Sequence, residues 1–495
     1  MTKRSLPNLT NSTRLALSPP PDCKHPMTRF RPILSTLLAT LMAWAAIPAQ
    51  SKSKSAKPNI VIILADDLGY GDVGYNGGQA ATPNIDRLAR EGVRLQRFYT
   101  APLCSPTRAG LMTGRWPIRY GMAESVITPW RKWGLPTREQ TIAAMLSNAG
   151  YERRGAFGKW HLGHYKKELL PLNRGFTHFT GCYNGTFDYF THEREKQLDW
   201  HRDWETVREE GYVTDLIGKE AVRFIEESPS GKPFFCYVPF TTPHLPLQAK
   251  EEDVAKYAHI TNERQRVYFA MLDSMDQVTG QILKAIDEKG VADNTVVLFL
   301  SDNGGVSFAN NGPYRGSKSS TYEGGIRVPA VIRWPNGIEG GRAVDAVMGY
   351  IDVYPTLKAI AGLITADPNP LDGINLLPII QEKAKALPRK WYSYVAQGAP
   401  SNKFALTDGA WKLVLVNGLP AQADPAKPDG PPSIELFNLD RDPAEKTNLV
   451  RKESERASAM LKDLREHYRL KISGIPHYRA GADSFKAPND WVIEE

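Results

Sequence analysis

The chain has 495 residues, about three times the ~150-residue guide for one domain, a length that large α/β enzymes place mostly in one unit. Hydrophobic residues at 41% and charged residues at 23% can fill a substantial core and exclude collagen, coiled coil and wholesale disorder. The formal charge of +8 sits in residues 1–57, where nine Lys/Arg face the single acid Asp22; the formally neutral remainder gives no reason to expect a nucleic-acid partner.

Arg29 and Arg31 precede a mostly apolar run, Ile33 to Ala46, which ends in Ile47-Pro48-Ala49-Gln50. Residues 1–49 therefore read as a leader with a secretory signal peptide, its true start at Met27, followed by a basic linker over 50–57. The run falls short of the ~20 apolar residues of a membrane-spanning helix. No stable membrane insertion is expected, a retained N-terminal anchor being the alternative, and the mature chain is expected to be secreted or periplasmic. It keeps only Cys104, Cys182 and Cys236, so it is not a disulfide scaffold and at least one thiol stays unpaired. The mature body has one N-x-[ST] sequon, Asn184-Gly185-Thr186, which with so few cysteines favours a bacterial exported protein over a glycosylated lysosomal one.

From Asn59 to Ala65 a continuous, largely β-branched run predicts a strand buried on both faces, as do Pro233 to Pro239, Thr295 to Leu300 and Val328 to Ile332. Helical patterns lie between them: 82–91 with Pro83 at the first position, 137–148 with Thr137 and Gln140 spaced as a capping box, 214–227 and 262–289. This alternation predicts an α/β sandwich over 58–388 with right-handed connections. From about Lys390 the pattern shortens to segments such as Trp411 to Leu415, with one helix near 453–469, which predicts a small C-terminal α+β subdomain over 389–495.

Polar residues gather just past the strand ends. The first strand runs into Asp66-Asp67, the 233–239 strand into Thr241-Thr242-Pro243-His244, and the 295–300 strand into Asp302-Asn303-Gly304-Gly305. In an open parallel sheet these ends share the edge where ligands bind. Three carboxylates brought together repel unless protonated or bridged by a cation. The all-oxygen donors Asp66, Asp67, Asp302 and Asn303 favour Ca²⁺ or Mg²⁺. The competing reading is a plain turn and helix cap at Asp66-Asp67.

Cys104-Ser105-Pro106-Thr107-Arg108 puts Pro106 in the first turn of a helix and Arg108 on the same face as Cys104. A cysteine there is either a thiolate nucleophile or buried and inert.

Cys104-x-Pro106-x-Arg108, continued by Thr113-Gly114-Arg115, resembles the signature of type I sulfatases. In that family this cysteine is oxidised to Cα-formylglycine. The segments Asn59 to Gly69, Gly158-Lys159-Trp160-His161-Leu162-Gly163, Ser301 to Gly305, Gly316-Ser317-Lys318 with Glu323-Gly324-Gly325, and Glu435 to Leu439 with Asp442-Pro443 resemble the family's other segments. The resemblance covers about 58–450, and Lys159 to Arg194 is similar to arylsulfatase B, the N-acetylgalactosamine-4-sulfatase type. One departure is the interval from Gly150-Tyr151 to Gly158-Lys159, one residue longer than usual, for which a bulge is expected.

The resemblance implies an alkaline-phosphatase-like sandwich with a central, mostly parallel sheet. It also implies one Ca²⁺ held by Asp66, Asp67, residue 104, Asp302 and Asn303. Formylglycine at 104 would attack sulfur as its hydrate, with Asp302 as candidate base, while Arg108, Lys159 and Lys318 hold the sulfate. His244, assisted by Lys318, would protonate the leaving oxygen, and His161 would take the proton that regenerates the aldehyde. A sulfated carbohydrate, of galactose or N-acetylgalactosamine sulfate type, is the implied substrate. The implied protein partner is a formylglycine-generating or anaerobic sulfatase-maturating enzyme. His192 and Arg194 are candidate substrate contacts, though a solvated polar face is the competing reading. Two rivals remain: a phosphomonoesterase or phosphonate monoester hydrolase of the same superfamily, and a sulfated-glycan binder in which Cys104 stays unmodified.

Overall fold

The computed structural model describes residues 57–386, 388–398, 400–475 and 480–494; the signal-peptide reading falls outside them. In chain order its strands begin with β1 (Asn59–Ala65), β2 (Val93–Tyr99), β3 (Arg153–Lys159) and β4 (His178–Cys182). Four two-residue strands come next, β5 (Glu193–Arg194), β6 (Gln197–Leu198), β7 (His201–Arg202) and β8 (Glu205–Thr206). Then come β9 (Phe234–Pro239), β10 (Thr295–Ser301), β11 (Ala330–Arg333) and β12 (Arg342–Gly349). The C-terminal strands are β13 (Lys390–Val395), β14 (Lys403–Asp408), β15 (Trp411–Val416) and β16 (Ser433–Asn438). The main helices are α1 (Pro83–Glu91), α2 (Cys104–Thr113), α3 (Ile142–Asn148), α4 (Val213–Glu226), α5 (Glu251–Lys256) and α6 (Glu263–Glu288). After them come α7 (Glu323–Ile326), α8 (Val353–Ile360), α9 (Leu377–Ile380) and α10 (Ser454–Tyr468).

The large sheet runs β12-β2-β11-β10-β1-β9-β3-β4-β7-β8. Its centre, β10-β1-β9-β3-β4, is parallel throughout. β11 runs antiparallel to β10 and β2, and β7 and β8 add an antiparallel margin. β1 shows why a continuous apolar run suits this position. Ile60, Ile62 and Leu64 enter one core and Val61, Ile63 and Ala65 the other, because alternate side chains point to opposite faces. Residues from α2, α3 and α8 fill the first core, and residues from α1, α4 and α6 the second. The expected sandwich is present, and an antiparallel sheet β13-β14-β15-β16 forms the C-terminal subdomain. α10 packs there through Ala457, Met460, Leu461 and Leu464, in the same core cluster as Leu406, Leu413 and Leu436.

Two local expectations are corrected. The third helix begins at Ile142, five residues after Thr137, and its cap is Thr141, whose hydroxyl accepts from the Ala144 N–H at 3.1 Å. Gln140 instead accepts from the Tyr354 hydroxyl at 2.9 Å, a long-range contact that a local pattern cannot foresee. No bulge marks β3: its ladders with β9 and β4 keep register from Arg153 to Lys159. Gly158 adopts φ +127° there, and a Cβ would lie 2.1 Å from the Pro239 carbonyl oxygen, so only glycine fits. Cys104, Cys182 and Cys236 are free buried thiols. Asn184 of the sequon is fully buried, its amide bonded to Asp199. Among the described residues no helix is long and apolar enough to cross a membrane.

Candidate active site

Four adjacent parallel strands deliver their C-terminal ends to one place: β10 brings Asp302 and Asn303, β1 Asp66 and Asp67, β9 the Thr241 to His244 turn, and β3 Lys159. Above them α2 starts at Cys104, and all ten of its residues are buried. The Ser105 hydroxyl fixes that start by donating to the His161 carbonyl at 3.0 Å and accepting from the Ile127 N–H at 3.1 Å.

The charges interlock. Lys159 Nζ lies 2.5 Å from Asp66 Oδ2. Lys318 Nζ meets both Asp67 oxygens, at 2.7 and 2.9 Å, and lies 3.3 Å from Cys104 Sγ. Arg108 donates from Nε to Asp302 at 2.9 Å and from Nη1 to the Lys159 carbonyl at 2.9 Å. Cys104 Sγ is 3.6 Å from Asp66 Oδ1. Asn303 donates to Asp67 Oδ1 at 2.7 Å, while its own Oδ1 is buried without a hydrogen-bond partner.

Burial and neighbours set the protonation states. Burial and the Asp66 carboxylate push Asp302 up to about 6, against the pull of Arg108. Asp67 is held well below the usual carboxylate range, because Lys318 and His244 outweigh its burial. Burial and Asp302 raise the Cys104 thiol to about 12, so at neutral pH it is a protonated thiol. The two histidines are held neutral: burial and Lys318 bring His244 down to about 3, and burial with Lys159 and Arg108 holds His161 well below its ordinary value.

Ligand atoms of Asp66, Asp67, Cys104 and His244 all lie within 4.8 Å of one another. Asp302 stands beside this group with its oxygens taken by Arg108 and the Asp67 N–H. Clustered hard oxygens, with the unspent Asn303 Oδ1 among them, fit a cation such as Ca²⁺. The two lysines now neutralise the charge such an ion would share.

A cleft of about 270 Å³ opens over Cys104, His161, His244 and Lys318. His161 Nε2 lies 2.8 Å from the Ile127 carbonyl, to which it donates, leaving the buried Nδ1 as an unspent acceptor. Gly185 makes room for that ring, since a Cβ there would come within 2.5 Å of it. Arg194 lines the cleft. His192 does not: it is 1% exposed, its Nε2 is bonded to the Gly211 carbonyl at 3.0 Å, and its ring lies 5.4 Å from that of Trp200. The expectation that His192 touches substrate is therefore corrected. Thr186, Ser319 and Gln397 line the cleft as well; the sequence marks Thr186 only as part of the sequon and the other two not at all. Ser319 comes directly after Lys318 and was within reach of the sequence pattern, whereas Gln397 arrives from the C-terminal subdomain with no local signal.

Residues 58–363 match the family model described as Sulfatase, and residues 316–471 match that described as N-sulphoglucosamine sulphohydrolase, C-terminal. The chain is 31% identical over 451 residues to arylsulfatase J of Mus musculus, covering 81% of this chain and 74% of that protein. It is 36% identical over 350 residues to N-acetylgalactosamine-6-sulfatase of Homo sapiens, covering 65% of this chain and 66% of that one. Among solved structures, Ps i-CgsB in complex with k-i-k-neocarrahexaose superposes with a TM-score of 0.78 at 30% identity, covering 86% of this chain and 96% of that chain. With its alkaline-phosphatase-like fold, its gathered charges and these relatives, the chain belongs to the sulfatase family and is a sulfuric ester hydrolase.

Proposed function

We propose that this protein is an exported, calcium-dependent hydrolase of sulfate monoesters on a saccharide, acting through Cys104 after its conversion to formylglycine by a maturating enzyme. The observation that carries the reading is the grouping of Lys159, Lys318 and Arg108 with Asp66, Asp67 and Cys104 at one sheet edge. Neutral-sugar chemistry has no use for three buried or half-buried cations around a nucleophile position; an anionic ester does. The names of the relatives and the neocarrahexaose bound by the structural neighbour support a sulfated saccharide as substrate. A further support over two-metal phosphatase chemistry is that the described residues hold one candidate metal cluster, Asp66, Asp67, Cys104 and His244.

Asp66, Asp67, Asp302 and Asn303 would hold the ion, which supplies positive charge beside residue 104. The formylglycine hydrate supplies a hydroxyl in place of the thiol, and a second hydroxyl through which the aldehyde returns. Lys159 and Lys318 donate to the sulfate oxygens and fix sulfur in line with that hydroxyl. Arg108 anchors Asp302 and the Lys159 backbone, keeping the polar floor rigid. His244 donates from Nδ1 to the Leu245 carbonyl at 2.7 Å, which leaves Nε2 to pass a proton to the leaving oxygen once the bound anion favours the protonated ring. His161 Nδ1 is the available acceptor for the proton given up when sulfate departs.

The experiment is sulfate release by matured protein in calcium buffer from an aryl sulfate and from defined sulfated oligosaccharides, with mass spectrometry of the peptide containing residue 104. Release that depends on the aldehyde supports the reading. Fully matured protein that frees sulfate from none of these compounds ends it, and native material carrying only cysteine at 104 would turn it toward glycan binding without turnover.

A further inference from the structure

Next to the catalytic cleft lies a second groove of about 1080 Å³, four times as large, and beyond the roughly 300–1,000 Å³ of sites that enclose one drug-sized ligand. The two share walls. Pro129 lines both, with Val126 to Thr128 on the cleft side and Trp130 to Trp133 on the groove side. The Trp491 indole of the groove donates to the carbonyl of Arg194, whose side chain lines the cleft, at 3.0 Å. The C-terminal segment is tied to the antiparallel β5-β6 hairpin that carries Arg194: the Asp490 N–H donates to the Gln197 side chain at 3.0 Å, and the Leu198 N–H to Asp490 Oδ1 at 3.3 Å. Cleft and groove therefore adjoin along Pro129 and along the Arg194–Trp491 contact.

The groove wall combines aromatic rings with positive charge. Phe485 stacks at 6.0 Å on Trp491, itself only 1% exposed, and meets Trp130 in an edge-to-face contact at 6.4 Å, so the half-buried rings of Trp130 and Phe485 are the ones the groove presents. Lys132 and Lys486 are exposed. Arg131, 4% exposed, spends Nη1 on the Ala480 carbonyl at 3.1 Å, while its Nε and Nη2 are buried with no hydrogen-bond partner. Among the described residues, the lining sets one carboxylate, Glu494, against these three cations. Ring faces pack on the apolar C–H face of a sugar, while ammonium and guanidinium groups bind sulfate by charge-assisted hydrogen bonds.

Resting on the hydrolase reading, we infer that this groove binds the unreacted units of a linear sulfated polysaccharide whose scissile sulfate lies in the cleft. The enzyme then favours oligosaccharides over single sulfated sugars.

The test uses the full chain as Cys104→Ala, which binds without turning over. Chondroitin sulfate and carrageenan hexasaccharides are titrated beside galactose 6-sulfate and N-acetylgalactosamine 6-sulfate by calorimetry. At least one hexasaccharide should bind tenfold or more tighter than the monosaccharides, and Lys132→Ala/Lys486→Ala should remove most of that advantage while leaving monosaccharide affinity unchanged. Trp130→Ala should do the same, with its thermal melt as a folding control. The inference is overturned if no hexasaccharide binds tighter than the monosaccharides, if the lysine variant leaves the advantage intact, or if it weakens both classes alike. Failure of the hydrolase reading would show elsewhere, as absence of sulfate release by matured wild-type protein.

Discussion

Lys159 Nζ and Asp66 Oδ2 stand 2.5 Å apart with both side chains wholly buried, joining the ends of β3 and β1 across the intervening β9. An ion pair in that setting costs most when half of it is removed, since the remaining charge is left without water or partner. Lys159→Ala should therefore cost about 3 kcal/mol of stability and about 10²–10³-fold in kcat, the scale of losing one donor to a developing charge. Raising calcium should return part of the stability, because an ion can share the Asp66 charge, and none of the activity. Denaturant titration at low and high calcium, beside sulfate release, checks both halves; recovery of activity with calcium would remove Lys159 from substrate binding.

Calcium itself should be visible without any turnover assay. A ligand bound only by the folded chain stabilises it by about 2.7 kcal/mol at a hundred times its Kd. Chelation should lower the Tm of the Cys104→Ala protein, and added Ca²⁺ should restore it in a saturable way. Asp67→Asn should flatten that response. A Tm indifferent to calcium across the range would argue that the oxygen cluster is satisfied by Lys159 and Lys318 alone.

The parts of this site legible in the sequence were those set by strand ends. β1 and β10 are apolar runs buried on both faces, so their limits, and hence the positions of Asp66, Asp67, Asp302 and Asn303, can be read from composition alone. Features that depend on distant partners were not legible. Thr137 and Thr141 each precede a plausible helix start, and the difference between them is tertiary: Arg115 and Arg174 bind Glu139, at its carboxylate and its carbonyl, and Tyr354 binds Gln140, holding 137–140 out of the helix. His192 sits among Thr191, Glu193, Arg194, Glu195 and Lys196, which reads as a wet surface. A tight hairpin with φ +59° at His192 instead turns its ring against Trp200. The helix start and the place of His192 were both misjudged because a local pattern was read where a long-range contact decides.

That hairpin separates two neighbouring side chains by role. Arg194→Ala removes a cation from the cleft wall and should raise KM for a sulfated saccharide severalfold with little change in Tm. His192→Ala deletes a buried ring and leaves the Gly211 carbonyl unpaired, costing about 2–4 kcal/mol of stability, with KM unchanged at temperatures where the protein stays folded. Steady-state kinetics and thermal melts on the pair of variants decide; a KM effect from His192→Ala without loss of stability would return that residue to the substrate site.

The C-terminal subdomain is joined to the catalytic unit by a buried charge cluster whose pH response is specific. Lys412 on β15 pairs with Glu323 of α7 and with Glu445, each at 2.9 Å. Glu445 accepts the Glu323 N–H at 2.7 Å, and Tyr99 donates to Glu323 at 2.9 Å. One lysine shared by two carboxylates leaves them unequal: burial is overcome by Lys412 and Arg327 at Glu323, which is held below its ordinary value, while burial and Glu323 push Glu445 up to about 7. A carboxyl whose pKa is raised on folding keeps its proton longer in the folded chain. Its contribution is intact below the unfolded value of 4.5 and is lost as pH rises toward 7. Over that window the folded state should lose up to about 3 kcal/mol, at 1.36 kcal/mol for each pH unit of difference. Glu445→Gln, which keeps the shape and gives up the charge, should remove most of this slope. Denaturant titrations at intervals from pH 4.5 to 7.5, on wild type and variant together, measure it. Equal slopes in the two proteins would mean that Glu445 is ionised throughout, with Lys412 balancing both carboxylates.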